Sequence, residues 1–292
     1  MKRVAFLSVV AAFALPAAAL AIDQSYVSVD GRDGAPCTRV RPCRTFARAV
    51  AATNPGGSVV ALDSGRFASG YFTVDKAITI TAAPGVHAEI ATSNFGIYVN
   101  AGADDVVVLR GLVFRGAPST PNQAIVLNSA KALHVENCVI SGFPTHGIGT
   151  YGPNQLFVRD TVIRDGYIGI SFWGGAASRL SLDRVQLENN SYGILVNSGS
   201  AAIRDSSASG NTNDGFAVDY SGEMNLQGCT ASNNGTGIRA GQGTARVSGC
   251  LVTGNNVGIA ASGSGVVASR GDNTVAGNAT DVSGTLTALT PQ

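Results

Sequence analysis

The sequence predicts an all-β fold, a single parallel β-helix, from three observations. A motif of Gly, an apolar residue, a spacer and a second apolar residue recurs about every 22 residues, a second patterned segment recurs between its copies, and that segment always bends at the same place. The first motif reads Gly96-Ile97-Tyr98-Val99, Gly147-Ile148-Gly149-Thr150, Gly169-Ile170-Ser171-Phe172, Gly193-Ile194-Leu195-Val196, Gly215-Phe216-Ala217-Val218, Gly237-Ile238-Arg239-Ala240 and Gly258-Ile259-Ala260-Ala261, with Ala124-Ile125-Val126-Leu127 as a variant. Its apolar leads at 97, 125, 148, 170, 194, 216, 238 and 259 are separated by 28, 23, 22, 24, 22, 22 and 21 residues. Such regularity describes a solenoid with one motif per coil.

The second segment is clearest as Leu133-His134-Val135-Glu136-Asn137-Cys138-Val139-Ile140. Apolar and polar residues alternate strictly at first and then slip by one, which marks two short strands joined by a bend. The bend column holds Gly111, Asn137, Asp160, Arg184, Asp205, Gly228 and Gly249. Gly, Asn and Asp tolerate the left-handed backbone that a tight corner needs, and Arg184 is the exception. Each coil of about 22 residues therefore contains three short strands, stacked at about 4.8 Å per coil with inward columns such as Val135, Val158, Leu182, Ile203, Leu226 and Val247 forming the core. Asn and Gly crowd the turn before each Gly-Ile strand, where side chains can bond neighbouring coils. Three of these turns also match the Asn-x-Ser/Thr pattern, at Asn189, Asn234 and Asn278, and turn chemistry accounts for them.

The ends follow from what a solenoid needs, since an open strand edge invites aggregation. Thr45 to Ala51 places Phe46, Ala49 and Val50 on one helical face, suited to capping the first coil. At the start of the chain, Lys2 and Arg3 precede the apolar run Val4 to Leu15 and the small-residue site Ala19-Leu20-Ala21, the pattern of a secretory signal peptide cut after Ala21. The expected organisation is a leader at 1–21, an N-terminal cap at 22–57, the β-helix at 58–282 and a tail at 283–292. Export to the periplasm or the outside of the cell, without membrane insertion, is the matching localisation.

Without Lys2 and Arg3 the chain has 18 basic against 19 acidic residues, a net charge of −1, which argues against general nucleic-acid or membrane-surface binding. Cys37 and Cys43 flank a short polar loop and are expected to form a disulfide; Cys138, Cys229 and Cys250 share one inward column and are expected to remain free thiols. His87, His134 and His146 lack metal-ligand spacing, so no cofactor or metal is expected.

Gly31-Arg32-Asp33-Gly34-Ala35-Pro36-Cys37, Pro42-Cys43-Arg44-Thr45-Phe46, Leu109-Arg110-Gly111-Leu112 and the Leu-x-Val-x-Asn-Cys rung together resemble exported bacterial proteins of the pectin-lyase-like right-handed parallel β-helix superfamily. The resemblance implies the fold over essentially all of the mature chain, and implies polysaccharide as the class of ligand. It does not fix an activity, because the superfamily holds lyases, hydrolases, epimerases and adhesin-like structural proteins. The Asn-x-Asp, Asp-Asp, Gly-His-Gly and Arg-x-Lys set of the polygalacturonases is not reproduced: Thr145-His146-Gly147 lacks the first Gly, and there is no Arg-x-Lys.

On the resemblance, sugar would lie along the outward face of the Gly-Ile strands. There Tyr151 and Trp173, the sole Trp, fall on adjacent coils as an expected aromatic platform, followed by Asn197, Asp219 and the diagonal neighbour Arg239. Tyr151, Trp173 and Asn197 are the expected sugar-binding residues, and Asp219 with Arg239 the expected catalytic pair if the protein is an enzyme. A single outward carboxylate falls short of the paired carboxylates these reactions use, so the sequence favours binding over catalysis. The other readings are a polysaccharide lyase, glycoside hydrolase or epimerase acting on an acidic polymer, and a structural or adhesin-like module.

Overall fold

The computed structural model describes residues 22–68, 70–117 and 122–289; the expected signal peptide lies outside them, as do the last three residues of the expected tail. The chain is an all-β parallel solenoid with one helix, its strands forming a 20-stranded and a 10-stranded sheet. Equivalent residues pair as the sequence repeat aligns them. Ile125, Ile148, Ile170, Ile194, Phe216, Ile238 and Ile259 follow one another along the first track. Val135, Val158, Leu182, Ile203, Leu226 and Val247 do so along the second. Ile140, Ile163, Leu187, Ala208, Ala231 and Val252 follow along the third. All these side chains are buried.

Three separate strands per coil hold only in part. One coil runs His146–Thr150, Gln155–Arg159 and Val162–Arg164, but in the second and third coils after it the first two strands merge into Tyr192–Arg204 and Asp214–Gln227. The corner after the second strand is uniform. Asn137, Asp160, Arg184 and Asp205 take φ of 51°, 49°, 52° and 48°, and Gly111, Gly228 and Gly249 take 68°, 63° and 60°. Arg184 adopts the left-handed backbone despite its side chain, with its guanidinium on Asp160 at 2.7 Å and Asp183 at 2.9 Å.

Gly before each first-track Ile answers to space. A Cβ at Gly169, Gly215 or Gly237 would stand 2.5, 2.8 or 2.7 Å from the carbonyl oxygen of the equivalent Gly in the next coil. Beside these glycines runs a buried ladder of Asn190, Asn211, Asn234 and Asn255, ending on half-buried Asn278. The amide N–H of each donates to the Oδ1 of the next, at 3.0, 3.0, 2.9 and 3.0 Å. Each Nδ2 donates to a carbonyl on the third track, those of Ile163, Leu187, Ala208, Ala231 and Val252 in turn. The turn Asn residues are thus structural, and Asn234 and Asn278 of the Asn-x-Thr matches belong to this ladder.

Helix α1 (Phe46–Ala52) is capped by Thr45, whose side chain accepts from Arg48 N, and it buries Phe46, Ala49 and Val50. The Phe46 ring packs 5.4 Å from Phe67 and 6.3 Å from Phe72. Within 22–57 there is also strand, since Ile22–Val27 pairs in parallel with Thr53–Ala61. At the far end Leu286–Ala288 still pairs with Val266–Ser269, so stacking reaches into the segment read as a tail. Cys37 and Cys43 are joined as a disulfide, and Asp33 accepts from Arg44 N and Thr45 N, fastening that loop to the start of α1. Cys138, Cys229 and Cys250 are free and buried. Burial pushes the Cys138 thiol up to about 12, so it stays protonated and packs as a small apolar side chain.

Two outcomes follow. Asn234→Ala strands the Asn211 N–H and should lower unfolding free energy by roughly 2–4 kcal/mol in urea titrations, whereas Asn256→Ala on the exposed turn should change it by under about 0.5 kcal/mol. Thiol titration of unfolded, unreduced protein should count three reactive cysteines, and five would remove the Cys37–Cys43 bond.

Candidate functional site

The first-track strands bend at their Gly, so the residue before that Gly and the residues one and three after the lead Ile reach the same outer face. Along the coils the leading edge of this face carries Gln123, His146, Ile168, Tyr192 and Asp214. Its middle carries Gly149, Ser171, Leu195, Ala217 and Arg239. Tyr151, Trp173 and Asp219 stand along the trailing edge. Most of the middle column is small, so the flanking side chains close over it.

Arg239 and Asp219 meet as the sequence predicts, through two bonds of 3.0 and 2.8 Å. A third partner was not foreseen. Arg239 Nε donates to Asp214 Oδ2 at 2.6 Å, and the side chain of Asp214 is almost fully buried. The face therefore holds two carboxylates and not one, both clasped by a single guanidinium that reaches back over the preceding coil, where Ala217 is fully covered. Asp219 foremost, then Asp214, raise the Arg239 pKa above its ordinary value against the opposing effect of burial. Gly241 belongs to the same cluster, because a Cβ there would collide with Asp219 Oδ1 and Arg239 Nη1.

The aromatics are arranged differently from the expected platform. The Trp173 ring lies 5.3 Å from Tyr220, two coils on, while the Tyr151 hydroxyl lies 3.1 Å from Gln123 Nε2 and accepts its hydrogen bond. Tyr220 takes φ of 47° immediately after Asp219, which turns its ring toward Trp173. Tyr167 and Tyr192 form a second pair, edge to face at 5.7 Å, and Tyr192 lies within electrostatic reach of Asp214, Arg239 and Asp219. Trp173 and Tyr220 are 43% and 58% exposed, and Tyr151 and Tyr167 are exposed as well. Asn197 must be corrected: it is 1% exposed, so it is covered and not open to a sugar, and its Nδ2 is buried without a partner. Against the next coil the register shifts here, Val196 pairing with Val218 and Ser198 with Ser221, so the single residue Asn197 stands against two, Asp219 and Tyr220.

His146 sits at the Gly149 end of the face. Its Nδ1 is buried and unbonded, and burial alone pushes the imidazole down to about 4, so the ring is neutral and can offer or accept a hydrogen bond without carrying charge. Two shallow concavities, of about 440 and 490 Å³, lie elsewhere: one beside Arg204, Arg246 and Arg270 on the second-track face, the other beside Arg32 and Arg41 at the disulfide loop. Among the described residues no helix is long and apolar enough to cross a membrane.

The family model described as right handed beta helix region matches residues 95–280. Among solved structures, the chain resembles XylC in complex with xylose, with a TM-score of 0.68, 10% identity, and coverage of 84% of this chain and 68% of that one. It resembles the pectate lyase Pel9A with a TM-score of 0.59, 16% identity, and coverage of 92% and 78%. It resembles the A-module of the Azotobacter vinelandii mannuronan C-5 epimerase AlgE4 with a TM-score of 0.55, 13% identity, and coverage of 81% and 91%. At these identities the likeness shows a shared fold. No curated protein sequence matches the chain.

The pH dependence of stability reports on His146. The unfolded chain binds a proton at this residue below its ordinary 6.5 and the folded chain only below about 4, so its contribution is intact above pH 6.5 and is lost as pH falls toward 4. The wild type should lose about 2 kcal/mol more than His146→Gln between pH 7 and pH 5 in denaturant unfolding. Parallel losses in both proteins would mean that the imidazole is solvated.

Proposed function

The chain belongs to the right-handed β-helix family, its model covering well over half of the sequence, and within it we propose a polysaccharide-binding protein without a catalytic centre of its own. The sugar lies along the outer face of the first-track strands. Exposed rings of Tyr151, Tyr167, Trp173 and Tyr220 are spread over several coils, and such a row suits a polymer laid across them better than a single small molecule held in a pocket. Trp173 with Tyr220 is the main stacking contact, and the bonded ends of Tyr151, Gln123 and Asp214 give the strip its polar edges.

The observation that carries binding over catalysis is the clasp on Arg239. A lyase, hydrolase or epimerase working through Asp219 or Asp214 needs a carboxylate free to take or give a proton at the sugar. Here both carboxylates accept charge-assisted bonds from one guanidinium, which engages both oxygens of Asp219 and Oδ2 of Asp214. The wider reading is of an exported protein: the leader at 1–21 directs secretion, the Cys37–Cys43 disulfide suits an oxidising compartment, and α1 caps the first coil.

Trp173→Ala should weaken binding of a matching oligosaccharide by roughly 1–3 kcal/mol in titration calorimetry, with the melting temperature nearly unchanged. If stability falls and binding survives, the ring serves packing instead. Asp219→Asn tests the enzyme alternative: turnover of any polysaccharide by the wild type, lost by orders of magnitude in this variant, would replace the binding reading with a catalytic one.

A further inference from the structure

We infer that the polymer this face accepts is an uncharged polysaccharide, not a polyuronate. The inference rests on the polysaccharide-binding reading and adds the class of sugar. A uronate carboxylate buried against an aromatic strip needs a cation or several free N–H donors beside it, because an unpaired charge taken out of water is strongly disfavoured. The outer face of the first-track strands supplies neither. Along its three columns the cation is Arg239, and its Nε, Nη1 and Nη2 already donate to Asp214 and Asp219. Two carboxylates against one guanidinium leave this cluster at −1, which repels a second carboxylate. His146 adds no positive charge, being neutral at the pH of the medium.

The arginines of the neighbouring strands are engaged elsewhere. Arg179, on the second strand of the Trp173 coil, points Nη1 at the carbonyls of Ala176 and Ser178. Arg110, Arg159, Arg184 and Arg204 run along the second-track corner, paired with Glu136, Asp160 and Asp183. What the face does offer are groups that recognise hydroxyls and the apolar faces of sugar rings: exposed Trp173 and Tyr220, the Gln123 amide, and the acceptor oxygens of the two aspartates. Gly241 maintains the arrangement, since any side chain there would push Asp219 and Arg239 apart.

The experiment is titration calorimetry of the wild type with two sets of oligosaccharides of matched length: neutral xylo-, gluco- and manno-oligosaccharides, and oligogalacturonate with oligomannuronate. At least one neutral series should bind at least tenfold more tightly than either uronate series, with an affinity that low and physiological salt leave within about twofold, because no charge is exchanged on binding. A uronate series that binds more tightly than every neutral one, weakens with salt and is lost in Arg239→Gln overturns the uncharged assignment while leaving the polysaccharide reading intact. Failure of both series to bind folded protein overturns that reading, and the sugar class falls with it.

Discussion

Everything in this molecule depends on keeping successive coils in strict register. Parallel stacking pairs backbone with backbone between coils, but a strand pair alone can slip, and a slip of one residue would turn core side chains outward. The buried asparagine ladder prevents it. Asn211, Asn234 and Asn255 each accept from the coil before and donate to a third-track carbonyl of that same preceding coil, so a displaced coil would strand several buried polar groups at once. The glycines beside the ladder permit the close approach that these bonds require.

The candidate site inherits its precision from that register. Arg239 reaches Asp214 and Asp219 because its strand lies one coil beyond theirs, paired Ala217 to Arg239, and because Ala217 and Gly241 leave room for the guanidinium between them. Trp173 and Tyr220 meet across two coils for the same reason. Basic residues are concentrated on a different side, where the Arg110 to Arg204 series alternates with carboxylates along the corner. The two faces thus divide the work of the surface: one is charged and self-paired, the other is aromatic and nearly free of available charge.

Much of the fold was legible because it rests on local patterns repeated many times. The left-handed corner was readable from Asn137, Asp160 and Asp205, and the structure extends it to Arg184, where the stack overrides the side chain's own preference. The disulfide and the buried thiols followed from spacing and column. The site was less legible, since its key features lie where the repeat breaks. Asp214 precedes the bend at Gly215, so counting outward positions along the strand from Phe216 does not reach it; the polar or aromatic residues preceding the same Gly in other coils, Gln123, His146 and Tyr192, were the available signal. Asn197 stands against an extra residue in the next coil that periodicity cannot register, and Tyr220 meets Trp173 through a left-handed residue that sequence alone would not assign to tyrosine.

The most direct measurement is a crystal structure of the protein with a neutral oligosaccharide bound. The account predicts sugar rings lying across the first-track face against Trp173 and Tyr220, with the Arg239 bonds to Asp214 and Asp219 still made. Sugar seated instead beside Arg204, Arg246 and Arg270, or Arg239 released from its aspartates to hold the ligand, would contradict it.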